Sequence, residues 1–244
     1  MILRYRGDRM RAVVTKAGVV ESVTTERDDP PEKSLSGMQL TERDLKILHF
    51  INDFGFCEMP QIETMFGLVK PRSYQIMQRL VAVDLVKHER IFHGRHGIYR
   101  LTKKGAGYTE LPALTRITLA NYNHSLAVLD IYLHLSKKYP DAEWLSERHL
   151  IHEKYFDGVG KRGHLPDGIL FLSHSDKKEQ KIAIEVELRL KGKTRIEKIL
   201  KWYSSQFDFA EVWYFCPQGV AESLRKAMGT TMPFVKIHSL REIL

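Results

Sequence analysis

His164-Leu165-Pro166-Asp167-Gly168, the apolar run Ile169 to Leu172, and Ile182-Ala183-Ile184-Glu185-Val186-Glu187-Leu188 are the stretch on which the reading of this chain turns. Both apolar segments are short and β-type, and the polar residues Ser173 to Gln180 between them make a turn, so the stretch predicts a β-hairpin. Side chains alternate across a strand. Glu185 and Glu187 therefore share one face, with Ala183 continuing it, while Ile184, Val186 and Leu188 line the other. Asp167 stands where the first strand begins, its entry fixed by Pro166. Three carboxylates on one hairpin repel one another unless a positive group sits among them, and a hard divalent cation such as Mg²⁺ or Mn²⁺ is the natural partner. An acidic pair on a strand is commonly a solvated surface instead. The basic run Lys191-Gly192-Lys193-Thr194-Arg195 shifts that balance, because acid for a metal beside base for phosphate is the layout of a nuclease.

The chain has 244 residues and is 43% hydrophobic, which allows one large domain or two ordinary ones with real cores. No apolar run approaches the length of a membrane span, and no apolar signal-peptide core follows Met1, so the expected location is cytoplasmic, with no membrane partner. Cys57 and Cys216 fit no metal spacing and are expected as reduced, buried thiols. The net charge of +8 points to an anionic partner, most directly nucleic acid. The charge is concentrated in two places. Nine Lys/Arg between Lys70 and Lys104 face only Asp84 and Glu89, and nine between Lys177 and Lys201 face four acids.

Residues 1–37 divide into a basic arm (Arg4, Arg6, Arg9, Arg11), a small hairpin turning at Ala17-Gly18, and a linker around Asp28-Asp29-Pro30-Pro31. The span 38–112 predicts three helices and a hairpin. Thr41 with Asp44 forms a variant capping box ahead of Leu45, Leu48 and Ile51. A second helix is expected over Met59–Phe66 and a third from Pro71, with Ile76, Met77, Leu80 and Val81 inward. Strands Leu85–Phe92 and Gly97–Leu101 then meet at His93-Gly94-Arg95-His96. That order is a winged helix-turn-helix. Its third helix, with Lys70 just before it and Arg72, Ser73, Gln75, Gln78 and Arg79 outward, carries side chains suited to base edges and phosphates. Arg90, Arg95, His96 and Arg100 belong to the wing.

Leu111 to Ala120 bridges to the span 113–244. Expected there are a helix from Asn121 to Lys138, a strand from Trp144 to Ile151, the opening hairpin, a helix Thr194–Phe207, a strand Val212–Phe215, a helix Val220–Met228 and a strand Phe234–Ile237. The fold class is α+β. Glu147 fits either an additional carboxylate or a strand-surface charge, and His124 and His164 either a phosphate or carboxylate contact or a structural hydrogen bond. His149 and His152 have no zinc-spaced partner and are expected to be structural.

The order α-β-β-β-α-β, with Pro166-Asp167 on the second strand and Glu185-Val186-Glu187 on the third, resembles the PD-(D/E)xK nuclease superfamily. The chain departs from that motif at its last position, where Glu187 replaces the usual Lys; some restriction enzymes of the superfamily share that departure. From Leu40 through Asn123-His124, Trp144…Glu147, His164-Leu165-Pro166-Asp167, Glu185-Val186-Glu187 and Lys193…Tyr203, the chain resembles the replication-relaxation family, and within it the MobC-type plasmid mobilisation relaxases. The resemblance implies nicking of one strand of double-stranded DNA at a plasmid transfer origin, with an accessory mobilisation protein and a type IV coupling ATPase as partners. The mechanism expected from the residues is metal-assisted phosphodiester cleavage, in which Asp167, Glu185 and Glu187 hold Mg²⁺ or Mn²⁺, His164 orients Asp167 or meets phosphate, and Lys193 or Arg195 steadies developing charge. Relaxases of the usual kind use a His-x-His metal site, and no two of the eleven histidines have that spacing. The other reading from a different class is a non-catalytic winged-helix regulator or replication initiator with a degenerate nuclease fold.

Overall fold

The computed structural model describes residues 39–156, 163–174, 177–189, 192–228 and 232–242. The arm, hairpin and linker expected over 1–37 lie outside the described residues. The chain is α+β, with eight α-helices and two sheets among the described residues.

Helix α1, Glu42–Phe54, starts as its sequence predicts. The Thr41 N–H donates to Asp44 Oδ2 at 2.8 Å and the Asp44 N–H donates back to Thr41 Oγ1 at 3.2 Å, a reciprocal capping box. It ends at Gly55, whose φ of +80° favours a residue without a Cβ. Strand β1, Cys57–Glu58, is too short to leave an alternating pattern and was not anticipated. Helices α2, Met59–Phe66, and α3, Arg72–Ala82, follow, with Ile62, Ile76, Met77 and Leu80 in the core. Strands β2, Val86–Glu89, and β3, Ile98–Leu101, are shorter than expected and form an antiparallel sheet in the order β1-β3-β2. A one-turn helix α4, Lys103–Ala106, is capped by Thr102.

Helix α5, Leu119–Lys138, crosses to the second sheet. That sheet comprises β4, Glu143–Ser146, β5, Gly168–His174, β6, Lys177–Val186, β7, Glu211–Cys216, and β8, Val235–Ser239, in sequential order. β4, β5 and β6 pair antiparallel, whereas β6–β7 and β7–β8 are parallel. The parallel pairs need crossovers, which helices α7, Lys193–Ser204, and α8, Gln218–Met228, supply. The β5–β6 hairpin is longer than expected, since His174 pairs with Lys177. The strand expected to reach Ile151 stops at Ser146, and Glu147–Phe156 is instead helix α6. Ser146 explains the switch, because its Oγ accepts from the His149 N–H at 3.4 Å and so starts a helix where alternation alone would continue a strand.

The alternation along β6 divides the core. Ile182, Ile184 and Val186 pack with Leu129, Leu135, Trp144 and Phe215 on the α5 side, and Ala183 packs with Ile196, Leu200 and Tyr203 on the α7 side. The α5-side core is continuous with Ile47, Phe50 and Leu80 of the first half. Polar contacts cross there too: Gln61 Nε2 donates to Asp130 Oδ1 at 2.7 Å, and the Tyr122 hydroxyl to Glu58 Oε1 at 2.7 Å. Cys57 and Cys216 are free, buried thiols as expected. Among the described residues no helix is long and apolar enough to cross a membrane.

Gly168 opens β5 with the Trp144 ring lying across it. A Cβ there would stand 2.1 Å from that ring. Gly168→Ala should therefore overpack the β4–β5 junction and cost about 1–3 kcal/mol, read as a lower melting temperature by circular dichroism. An unchanged melting temperature would mean that the ring moves aside freely.

Candidate functional site

The entry to β5 and the exit of β6 open into a cleft of about 730 Å³. Asp167, one residue before β5, is held by the end of β6. Its N–H donates to the Ile184 carbonyl at 3.0 Å, and its Oδ2 accepts from the Val186 N–H at 2.7 Å. Glu185 is the penultimate residue of β6. Glu187 lies just past it, where its N–H donates to the Phe215 carbonyl at 3.0 Å. Both glutamates are buried, at 2% and 7% exposure, and both line the cleft with Asp167. The hairpin thus brings together the three carboxylates singled out from the sequence.

Glu147 joins them. It is the first residue of α6 and lines the same cleft, so it is not a strand-surface charge. Its own surface is open to the solvent of the cleft, yet surrounding protein atoms and the Asp167 charge raise its carboxyl above the ordinary range. Arg189 and Arg195, both exposed, and Asn121 and Asn123 complete the polar wall. Arg195 is where the sequence places it, beside the acids. The backbone of Lys193 begins α7, but its side chain lies outside what the structure describes.

Glu185 and Asp167 each have a histidine, and His164 sits on Glu185, not on Asp167 as the sequence reading expects. His164 Nε2 lies 2.5 Å from Glu185 Oε1, and the Tyr203 hydroxyl donates to the same oxygen. His124 Nε2 lies 3.1 Å from the Val186 carbonyl and 3.3 Å from Asp167 Oδ2. Both neighbours accept, so that nitrogen carries the proton. Burial lowers the His124 pKa, but the Asp167 bond and charge outweigh it and the net direction is upward. Burial raises Glu185, and the Asp167 charge adds to it against the His164 and Tyr203 bonds. Burial and then the Glu185 charge push the Tyr203 phenol far up, so it stays protonated and serves as a donor. Among the described residues, no group of three His, Cys, Asp or Glu side chains stands close enough to hold a metal ion.

His149 is buried against Ser146 Oγ at 3.1 Å, and burial, with the positive charge of His152 and Arg148, lowers its pKa to about 4. That fits a structural role.

Sequence reasoning gave Tyr203 no role, although Ile196, Ile199, Leu200 and Tyr203 share helical spacing and the tyrosine alone carries a polar tip into that buried face. Asn123 enters the sequence reading only through the family resemblance, and Arg189 and Asn121 are given no role there.

The first half presents a second basic surface. Arg72, Gln75 and Gln78 are exposed on α3, and Lys70 Nζ sits 5.4 Å over the Tyr74 ring. Ser73 does not share that face. It is fully buried and donates to Glu63 Oε1 at 2.6 Å, because it falls on the same stripe as Ile76, Met77 and Leu80. Arg79 pairs with Asp44 at 2.5 Å. Arg100 makes two bonds to Glu89, at 2.9 and 2.7 Å, and one to the Leu114 carbonyl at 3.0 Å. Both arginines are thereby tied into the fold. Arg90 and Arg95 are exposed.

The raised Glu185 carboxyl has a consequence for stability. A buried acid with a raised folded pKa favours folding below its unfolded value, about 4.3, and that contribution is lost as pH rises through the folded value. Glu185→Gln stays neutral throughout. Its melting temperature relative to wild type should therefore rise steadily with pH across that window, whereas parallel profiles would show that the carboxyl titrates as in the unfolded chain. Comparisons of the chain with protein-family models, curated proteins and solved structures found no match, so the chemistry of the cleft is read from its own residues.

Proposed function

We propose that the chain is a plasmid mobilisation relaxase, a metal-dependent endonuclease that nicks one strand of double-stranded DNA at an origin of transfer. In this reading residues 1–37 are a basic arm and linker. Residues 38–112 are a winged helix-turn-helix, with α3 as recognition helix and β2–β3 as wing. Residues 113–244 are a PD-(D/E)xK-like core, with α5, the antiparallel β4, β5 and β6, α7 and β7 in its element order. The observation that carries the reading is the convergence of Glu147, Asp167, Glu185 and Glu187 on one cleft that also holds Arg189 and Arg195.

The donor set suits a hard cation, since every carboxylate offers oxygen and a bare anion at Glu185 is disfavoured by burial and by Asp167. Asp167, Glu185 and Glu187 would hold Mg²⁺ or Mn²⁺, which supplies polarisation of the scissile phosphate and an activated attacking oxygen. His124 and His164 orient Asp167 and Glu185, and Tyr203 fixes Glu185 through its hydroxyl. Arg195, with Lys193, meets the charge that develops on phosphate. An accessory mobilisation protein and a type IV coupling ATPase are the partners that this role carries.

One observation favours a second reading. Histidine already sits on Asp167 and on Glu185, and the described residues hold no preformed metal group. That arrangement suits a non-catalytic winged-helix regulator or replication initiator whose nuclease fold is degenerate, the imidazoles taking the place of a cation.

Supercoiled plasmid bearing the cognate origin, incubated with Mn²⁺, separates the two. Open-circular product with a break at one fixed position is expected. Staggered breaks in both strands would point to a restriction-type enzyme, and no cleavage at all to the regulator. Asp167→Ala and Glu185→Ala should abolish nicking while origin binding persists in a gel shift, and Glu187→Ala should be milder. His164→Ala should weaken metal binding about 10–100-fold, measured by Mn²⁺ titration. For the first half, Arg72→Ala should cost about 1–3 kcal/mol on cognate DNA and relax sequence preference. Arg95→Ala should instead weaken cognate and random DNA alike and flatten the salt dependence. Equal losses on both DNAs for the two variants would mean that α3 grips only the backbone.

A further inference from the structure

We propose that a single unpaired nucleotide docks in a second cavity, of about 270 Å³, between α3 and the β2–β3 hairpin, which shares no lining residue with the carboxylate cleft. Its floor is Met59 and Tyr99, both buried. His88, directly across the ladder from Tyr99, stacks on it with ring centroids 4.5 Å apart and planes 16° from parallel. That stack is built into the sequence by Gly97, since a Cβ there would stand 2.1 Å from His88 Nε2. Tyr74 adds a third ring from α3.

The mouth is cationic. Arg90, Arg95 and His96 line it and are exposed. None of the three makes an ion pair among the described residues, whereas Arg79 and Arg100 of the same half are each matched to an acid. The acids of the surrounding elements already have partners, Glu58 in Tyr122, Glu63 in Ser73 and Glu89 in Arg100. Aromatic walls below free guanidinium groups fit a flat ring that carries a phosphate, and stacking of this kind tolerates any base. The volume lies just under the roughly 300 Å³ at which small-molecule sites begin, a size on the scale of one nucleotide. A base inside a duplex is also covered on both faces by its neighbours. The occupant is therefore either a free nucleotide or an unpaired nucleotide of a DNA strand.

Three probes test this with the full chain: 2-aminopurine deoxyriboside monophosphate, a short single strand carrying one 2-aminopurine, and the same strand fully paired. Stacking quenches 2-aminopurine emission. Quenching of an unpaired probe is expected, with about tenfold weaker binding in His88→Ala and in Arg95→Ala, both at exposed positions whose folding is checked by circular dichroism. Quenching of the monophosphate identifies a free nucleotide as ligand, and quenching of the strand alone identifies a nucleotide within DNA. The proposal is overturned if neither unpaired probe is quenched or if both variants bind as wild type does. It is equally overturned if inorganic phosphate competes as well as the monophosphate, which would mark a plain anion patch. Plasmid nicking does not enter these readouts and His88 has no part in the relaxase reading, so the monophosphate probe and His88→Ala separate the two, whereas Arg95→Ala alone does not.

Discussion

Taking the Glu185 carboxyl out of water is the constraint around which the second half is arranged. A buried carboxyl without partners is strongly unfavourable, and here relief comes from two directions. Tyr203 reaches it from α7, which is why that helix carries a phenol on a face otherwise filled by isoleucine and leucine. His164 reaches it from the segment leading into β5. The histidine is itself braced edge-on by Trp202, 5.8 Å away between centroids, and Gly163 lets that indole approach, a Cβ there lying 2.9 Å from its ring nitrogen. One carboxyl thus fixes the rotation of α7, the path into β5 and the shape of the cleft between them.

Local signals in the chain carried a good part of this. The capping box of Thr41 and Asp44 involves neighbours and was legible, as was the alternation that buries Ile184 and Val186 on one face and turns Glu185 to the other. What failed did so for physical reasons. Ser146 both ends a strand and caps a helix, and alternation, blind to the cap, carries the strand on through Glu147. The polarity of Ser73 reads as outward, although its spacing from Ile76, Met77 and Leu80 places it inward. Arg79 finds Asp44 across 35 residues and Arg100 finds Glu89 across 11, and no local pattern distinguishes such an arginine from a free one. The acidic part of the cleft was visible because three of its members share one hairpin. His124 and Tyr203 meet it only through the packing of α5 and α7 on the sheet, which periodicity does not encode.

The first half and the second are not joined by a tether alone. Phe50 and Phe54 pack on Tyr132 with centroids 6.3 and 4.9 Å apart, Gln61 holds Asp130, and Arg148 donates to the Pro112 carbonyl at 2.6 Å. Interiors packed in this way transmit displacement instead of absorbing it. In the relaxase reading proposed above, a DNA engaging both the exposed row of α3 and the carboxylate cleft would meet them at a spacing set by this packing. Shaving one ring from that core, at Phe54 or Tyr132, would then change the spacing without touching either surface.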